Sequence, residues 1–276
     1  MAFAPFERLL ALRYLRARRR EGFISVIVGF SLAGISLGVA TLIIVMAVMN
    51  GFRQELLTRI LGVGGHLTVH ASSSLQGGDD AVVARIKKIQ GVKAAVPLLS
   101  GQAMATHRRR AAGVVVQGMR PSDLALRPII AGNLKAGKMS DFKGRDTVLV
   151  GSRFASRFGL LVGDKITLVA PSGNVTAFGT MPRMKAYRVV GMFEVGMYEY
   201  DSNFVYMPLA AAQIFFRRVG RASNIEVMVD NPDQVGAFRA KIKNALGPNI
   251  RIRDWQQSNA SFFTAIQVER NVMFLI

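Results

Sequence analysis

One short segment of the sequence carries glycines and a lysine at the spacing of a phosphate-binding loop. Gly132 and Gly137 are separated by four residues, and Lys138 follows directly. A nucleotide-binding loop needs a serine or threonine after that lysine to hold Mg²⁺, and Met139 stands there instead. We therefore interpret the segment as a glycine-rich surface turn and do not expect it to bind nucleotide.

Histidine and cysteine offer little further chemistry. His66 and His70 fall on one face of a predicted strand, but no carboxylate or third histidine lies close to them in the sequence, and His107 stands alone in a basic run. The chain has no cysteine, which excludes a disulfide framework, thiolate metal sites and thiol catalysis. No serine, histidine and aspartate pattern stands out. The sequence therefore predicts neither a metal site nor catalysis.

The segment from Ala170 to Lys185 has the composition of a binding loop between two strands. It carries two glycines and two prolines and exposes the apolar residues Val175, Phe178 and Met181. Binding residues concentrate on loops, and exposed apolar patches mark interaction sites. A flexible linker would have the same composition, so both interpretations stay open at this point.

A long uncharged segment near the N-terminus must anchor these elements. Phe23–Met49 contains 27 residues without a charge, whereas a helix needs only about 20 to cross the bilayer core. We predict a transmembrane helix over residues 23–50. Small residues allow a second helix to approach closely, so Gly34 and Gly38, with Thr41 nearby, predict a helix-packing face.

The charges beside this segment predict its orientation. Six arginines precede it, which places the N-terminus in the cytoplasm and the rest of the chain on the far side of the membrane. A cleaved signal peptide also begins with basic residues, but its apolar region is usually about 7–15 residues long. We expect residues 1–22 to form an interfacial helix. Residues 256–276 predict the start of a second transmembrane helix, so we expect the natural protein to continue.

The body of the chain is strongly basic. Of the formal charge of +19, residues 1–21 account for +4 and residues 256–276 for zero, which leaves +15 for the segment between them. Nucleic acid is an unsuitable partner for a domain outside the cytoplasm. Anionic lipid headgroups or an acidic protein fit better, and a basic surface that serves only solubility is the alternative.

Hydrophobic patterning predicts an α+β periplasmic domain over residues 51–255. Strand, helix and strand patterns occur near both ends, at residues 66–97 and 224–253. Short strands separated by Gly/Pro turns lie between them. We therefore predict an α/β-type subdomain built from both ends of the segment, with a β-rich subdomain inserted at about 120–220, on an α-helical transmembrane anchor.

Several blocks of sequence closely resemble the LolC/LolE family, the membrane subunits of the bacterial lipoprotein-releasing ABC transporter. The resemblance runs along nearly the whole chain, and the block around Asn50 is its most specific part. The matching blocks are Phe6-Glu7, Leu12–Arg16, Gly22–Ser25, Gly34–Val39, Val48–Phe52, Gly151-Ser152, Gly163-Asp164, Pro171-Ser172, Gly191 with Phe193, and Glu269–Met273.

The resemblance implies a function and a set of partners. It implies four spanning helices in the whole protein, with a large periplasmic domain between the first two, in the bacterial inner membrane. The partners would be a cytoplasmic ABC ATPase that binds ATP and Mg²⁺, a second copy or paralogue of this subunit, a periplasmic lipoprotein carrier, triacylated lipoproteins and membrane lipids. The chain itself would be non-catalytic, without a cofactor of its own.

The resemblance also assigns residues. In one branch of the family, a loop of the inserted subdomain hooks the carrier, and Pro171–Pro182 occupies the corresponding place. The implied contacts are Val175, Phe178, Met181 and Pro182, with support from Arg183 and Lys185. Which branch this chain represents is left open by the sequence.

An apolar path for acyl chains would be lined by the transmembrane helix. Val39, Leu42, Ile43 and Met46 are the candidates, although they lie on two sides of the helix. Two other functions remain possible from sequence: a mechanotransmitting ABC subunit for efflux or for activation of a periplasmic enzyme, and a membrane-anchored sensor ectodomain. A crosslink to a carrier would separate the first of these from lipoprotein release.

Overall fold

The computed structural model describes residues 6, 22–70, 78–176, 179–248, 250–260, 264, 268 and 271–272. The chain divides into two compact units. One unit comprises Met1–Leu56 and Glu269–Ile276, and the other comprises Leu57–Val268.

A single long helix contains the predicted membrane segment. This helix, α1 (Gly22–Val63), has 42 residues. Between residues 23 and 48 its described apolar side chains are uncovered on every side; Phe23, Phe30 and Leu37, for example, are 71–79% exposed. An all-apolar helix without cover is suited to lipid rather than water. In the part of the chain that the structure describes, it is the one helix long and apolar enough to cross a membrane.

In its described residues, the second unit is built on ten strands. Short helices or 3₁₀ turns separate them along the chain, except where two pairs of strands follow each other directly. The strands are β1 (Leu67–His70), β2 (Val92–His107), β3 (Arg110–Met119), β4 (Leu134–Gly137), β5 (Thr147–Gly151), β6 (Lys165–Thr176), β7 (Gly179–Phe193), β8 (Phe204–Pro208), β9 (Asn224–Val229) and β10 (Ile252–Asp254).

Eight further α-helices and two 3₁₀ turns lie in the described part of this unit. The α-helices are α2 (Gly78–Lys87), α3 (Pro121–Ala125), α4 (Pro128–Ala131), α5 (Ser152–Phe158), α6 (Tyr198–Asn203), α7 (Leu209–Phe215), α8 (Val235–Leu246) and α9 (Trp255–Ser258). The 3₁₀ turns are Met139–Asp141 and Pro232–Gln234.

The strands form one mixed sheet in the order β10-β1-β9-β2-β3-β8-β5-β7-β4, and β6 pairs with β2 and β7. The β3–β8 and β5–β7 pairs are parallel and the others antiparallel. β2 joins the two parts of the sheet, because Val92–Leu98 pairs with β9 and Leu99–His107 pairs with β3. One strand therefore connects the terminal part of the domain to its central part.

Each of the two parts has a hydrophobic core, and a third cluster around residues such as Val96 and Phe193 connects them. Strands β1, β9 and β10 pack against α2 and α8 around residues such as Val69, Ile86 and Phe238. Strands β3, β5, β6, β7 and β8 enclose a second core with α5 and α7, around residues such as Phe154 and Tyr187. The predicted α+β domain, with one part from both ends and a β-rich part between them, is confirmed.

Candidate functional site

The predicted docking loop is largely a β-hairpin. β6 and β7 pair from Lys165 with Arg188 to Ala170 with Arg183, and pairing resumes from Asn174 with Met181 to Thr176 with Gly179. The expected long hairpin loop between two strands is therefore shorter than predicted, because both strands continue through most of the segment. The β-branched residues of the segment favour an extended backbone. The sequence prediction overlooked this preference because it was based on the glycine and proline content.

Pro171 and Pro182 lie where the pairing of this hairpin is interrupted. Three residues on β6 (171–173) face one residue on β7 between the two paired regions. Neither proline has a backbone N–H to donate, so the regular pattern of hydrogen bonds between β6 and β7 cannot continue at these positions. Such a bulge bends a strand pair. The two prolines thus separate the part of the hairpin held in the sheet from its outer part.

The outer part of the hairpin carries the predicted carrier contacts. Met181 is 64% exposed, and Pro171 and Pro182 at the bulge are exposed as well; Met184, on the inner side of the bulge, is 62% exposed. Phe178 lies outside the described residues, and Val175 is described only by its backbone pairing with Thr180. Methionine side chains are flexible and polarizable, which suits an apolar surface that must adapt to a partner.

The two predicted basic residues hold the base of the hairpin. Arg183 Nη1 donates hydrogen bonds to the carbonyl oxygens of Ile214 (2.8 Å) and Phe215 (3.2 Å), at the C-terminal end of α7. Lys185 Nζ lies 2.7 Å from Asp146 Oδ1 and 5.2 Å from the centroid of the Tyr187 ring. These contacts position the hairpin against the domain, a role that sequence reasoning missed because the partners are distant in the chain.

An apolar groove lies beside the base of the hairpin. It has a volume of about 770 Å³ and is lined mainly by β2, β3 and β6, with both hairpin prolines at its edge. Met104, in its wall, is 45% exposed. The groove extends the apolar surface of the hairpin onto the face of the sheet.

The candidate residues of α1 separate into two groups. A groove of about 480 Å³ on the helix is lined by Gly34, Leu37, Gly38, Thr41, Leu42, Val45 and Met46. Leu42 and Met46 thus share the small-residue face, whereas Val39 and Ile43 lie elsewhere on the helix and are 53% and 60% exposed. Thr41 Oγ1 donates to the Leu37 carbonyl at 2.8 Å, so the helix itself satisfies this hydroxyl.

The segment that resembles a phosphate-binding loop has a structural role. Leu134–Gly137 forms β4, which pairs with β7, so the predicted surface turn is an edge strand for half its length. A Cβ atom at Gly137 would lie 2.1 Å from the Val190 carbonyl oxygen. The glycine therefore permits close packing of two strands.

His66 and His107 each contact a different backbone group. Val229 N donates to His66 Nδ1 at 3.1 Å, and burial lowers the pKa of His66 from its ordinary value of 6.5. His107 Nδ1 lies 2.8 Å from the Lys165 carbonyl oxygen. Among the described residues, no three His, Cys, Asp or Glu side chains come together as a metal site would require.

The His66 environment predicts a dependence of stability on pH. Because the pKa is lower in the folded than in the unfolded chain, the unfolded chain binds the proton more strongly. The stabilising contribution is therefore present above about pH 6.5 and decreases as the pH falls below it. We expect His66→Gln to reduce the slope of unfolding free energy between pH 7.5 and 5.5, measured by denaturant titration. His70→Gln is the control, and an unchanged slope in H66Q would contradict the prediction.

Comparison with known proteins gives the family of the chain. Residues 29–245 match the family model described as MacB-like periplasmic core domain. The chain is 33% identical over 272 residues to the lipoprotein-releasing system transmembrane protein LolC of Neisseria meningitidis serogroup B, covering 98% of this chain and 66% of that protein. It is 31% identical over 275 residues to the protein of the same name from Xylella fastidiosa strain Temecula1, covering 99% and 66%.

Solved structures include similar domains. The periplasmic region of MacB from Actinobacillus actinomycetemcomitans aligns with a TM-score of 0.48 and 13% identity, covering 74% of this chain and 95% of that one. The chain spans just under two thirds of the length of the curated relatives it matches. It belongs to the MacB-like periplasmic core domain family, and the resemblance to the LolC/LolE family is confirmed.

Proposed function

We propose that this chain is the membrane subunit of an ATP-driven complex that extracts outer-membrane-destined lipoproteins from the inner membrane and passes them to a periplasmic carrier. The hairpin β6–β7 is the observation that carries the proposal. It carries exposed methionines on both sides of a proline bulge, Met181 in the outer part and Met184 in the inner part, while Arg183 and Lys185 fix its base to the domain. This arrangement suits a protein that presents an apolar arm to a soluble partner.

The energetics of lipid extraction explain why such a complex needs an ATPase. Transfer of an acyl chain out of the bilayer costs about 0.8 kcal/mol per CH₂ group, so a triacylated protein does not leave spontaneously. The described part of this chain offers apolar surfaces on α1 and beside the β6–β7 hairpin. ATP and Mg²⁺ would be bound by a separate cytoplasmic ABC ATPase, and a second copy or paralogue of this subunit would complete the membrane part.

The two faces of α1 would have different roles in the membrane, one in helix packing and the other in contact with lipid or lipoprotein. The face with Gly34, Gly38 and Thr41 allows close approach of a neighbouring helix, and Leu42 and Met46 share its groove. Val39 and Ile43 lie away from it. We therefore assign Leu42 and Met46 to helix packing or to the edge of the acyl path, and Val39 and Ile43 to lipid or lipoprotein contact.

A site-specific crosslink tests the carrier contact. With a photoreactive residue at Met181, we expect the membrane-inserted protein to form an adduct with the purified periplasmic lipoprotein carrier, identified by mass. Leu161 is the matched control, because it is similarly exposed (71%) but lies in the turn before β6, at the opposite end of the hairpin from Met181. It should give no adduct above background.

The outcomes separate the proposed function from its alternatives. An absence of adduct at Met181, or equal adducts at Met181 and Leu161, would contradict a hairpin that binds the carrier and favour an efflux or enzyme-activating ABC subunit. Depletion of the protein gives the second test. Mislocalised lipoproteins are expected, and normal lipoprotein sorting would favour a sensor ectodomain.

A further inference from the structure

A polar pocket in the central part of the domain has the features of an anion site. It encloses about 500 Å³ between α5 and the segment that leads into α6. It shares no lining residue with the groove beside the β6–β7 hairpin. Its lining residues are Ser152, Arg153, Ser156, Arg157, Glu194, Tyr198 and Ser202.

Aromatic rings hold both arginine side chains of this pocket. Arg153 Cζ lies 5.4 Å from the centroid of the Tyr198 ring, and Arg157 Cζ lies 5.4 Å from that of Phe158 and 5.9 Å from that of Phe154. Stacking on a ring fixes a guanidinium while its N–H groups stay available in the plane. Within the residues that the structure describes, neither guanidinium has a hydrogen-bond or ion-pair partner.

The charges around the pocket leave an excess of two cations. Among the described residues of the lining, Glu194 is the one carboxylate, and its Oε2 atom lies 2.9 Å from Lys135 Nζ. The hydrogen bond and the charge of Lys135 lower the pKa of Glu194, so the carboxylate is ionised and paired. The charge of Arg153 also lowers the pKa of Glu194, so Lys135, Arg153 and Arg157 together face this one carboxylate and leave a net charge of +2.

The surroundings add positive charge and neutral donors. The tip of the β2–β3 hairpin carries Arg108, Arg109 and Arg110, all exposed, and the Arg110 side chain donates to the Arg157 carbonyl oxygen. Ser156 Oγ donates to the Ser152 carbonyl oxygen at 3.0 Å, whereas the hydroxyl groups of Ser152, Tyr198 and Ser202 are further possible donors in the lining.

We propose that this pocket binds a phosphate group. Two guanidinium groups with neighbouring hydroxyls match the several oxygen acceptors of phosphate, which arginine binds through paired N–H groups. A volume of about 500 Å³ is that of a small-molecule site rather than of a polypeptide groove. The phosphate can belong to a phospholipid headgroup or to a free anion, and the proposal does not depend on lipoprotein release.

Calorimetric titration of the full chain in a nonionic detergent tests the proposal. Inorganic phosphate is the first probe, and glycerophosphoglycerol, a phosphodiester headgroup without acyl chains, is the second. We expect R153Q/R157Q to weaken binding of the preferred probe at least tenfold. R251Q/R253Q is the matched control, because it also removes two exposed arginines but lies at β10. Binding to this control should be unchanged.

A second variant keeps the test independent of folding defects. Glu194→Gln removes the carboxylate from the lining and releases Lys135, so it should tighten phosphate binding several-fold, a gain that misfolding cannot produce. Preference for the diester indicates a lipid headgroup, and preference for inorganic phosphate indicates a free anion. Failure of both probes to bind, equal weakening in R251Q/R253Q, or no gain in E194Q would overturn the proposal.

Discussion

Replacement of Arg127 by methionine is expected to lower the free energy of unfolding by about 3–5 kcal/mol. The Arg127 side chain is 2% exposed and donates to the Glu226 carboxylate on β9 and to the carbonyl oxygen of Val63. Methionine has a similar length but no charge. It would leave the Glu226 carboxylate largely buried and without its partner, which is the costly outcome of breaking a buried ion pair.

A matched exposed pair provides the control for this variant. Arg120 pairs with Asp80, and the two side chains are 42% and 78% exposed. Arg120→Met should cost no more than about 1 kcal/mol, because solvent screens such pairs. Denaturant titration followed through Trp255, the single tryptophan and 4% exposed, measures both variants.

A double variant separates the effect of the unpaired Glu226 charge from the effect of the other contacts that Arg127 makes. R127M/E226L removes both charges together, so it should recover much of the stability lost in R127M, since buried pairs often exchange for apolar residues at little cost. Equal losses in R127M and R120M would show that the buried pair contributes no more than a surface pair. Failure of the double variant to recover stability would assign the loss to the hydrogen bond with Val63.

The position of Arg127 explains why its contribution matters for the domain. Val63 is the last residue of α1, and its carbonyl oxygen is among those that a helix leaves without an intrahelical partner. Arg59, one turn earlier, donates from Nη1 to the Val195 carbonyl oxygen at 2.9 Å. Leu57 and Leu61 pack on the core formed by β1, β9 and β10. The last two turns of α1 are therefore fixed to the domain by polar and apolar contacts together.

These contacts mark the limit of what the sequence predicts. Periodic spacing of apolar residues is a local signal, and the strand, helix and strand predicted over residues 224–253 correspond to β9, α8 and β10. Glu226 lies 99 residues from Arg127, and no local pattern indicates that the two side chains meet. Helices as short as α3 and α4 have too few turns to display a period.

The candidate site was predictable to a similar extent. Apolar residues and prolines between 170 and 185 indicate a binding element, and the structure places Met181 and Pro182 at its exposed part. The extended backbone was missed because Pro171 and Pro182 suggest a break, whereas they form a bulge within a continuing strand pair. The partners of Arg183 lie 31–32 residues away, beyond reach of a motif.

Replacement of Gly137 by alanine is expected to destabilise the domain by about 3 kcal/mol, combining left-handed strain with overpacking. Gly137 has φ +83°, a conformation that residues with a Cβ rarely adopt. An alanine Cβ would also lie 2.1 Å from the Val190 carbonyl oxygen and 2.5 Å from Gly191 Cα. These are backbone atoms of the neighbouring strand, so relief requires β4 to separate from β7.

Gly144 offers a control with the same backbone strain and no crowding. Its φ is +82°, and a Cβ there would meet nothing within 4 Å. Gly144→Ala should therefore cost only about 1–2 kcal/mol, the cost of the left-handed conformation alone. Unfolding free energies of the two variants, from the same denaturant titration, give the difference that is due to packing. If G137A and G144A were equally stable, the close contact of β4 with β7 would carry no cost. The glycine of the loop-like motif would then need another explanation than strand packing.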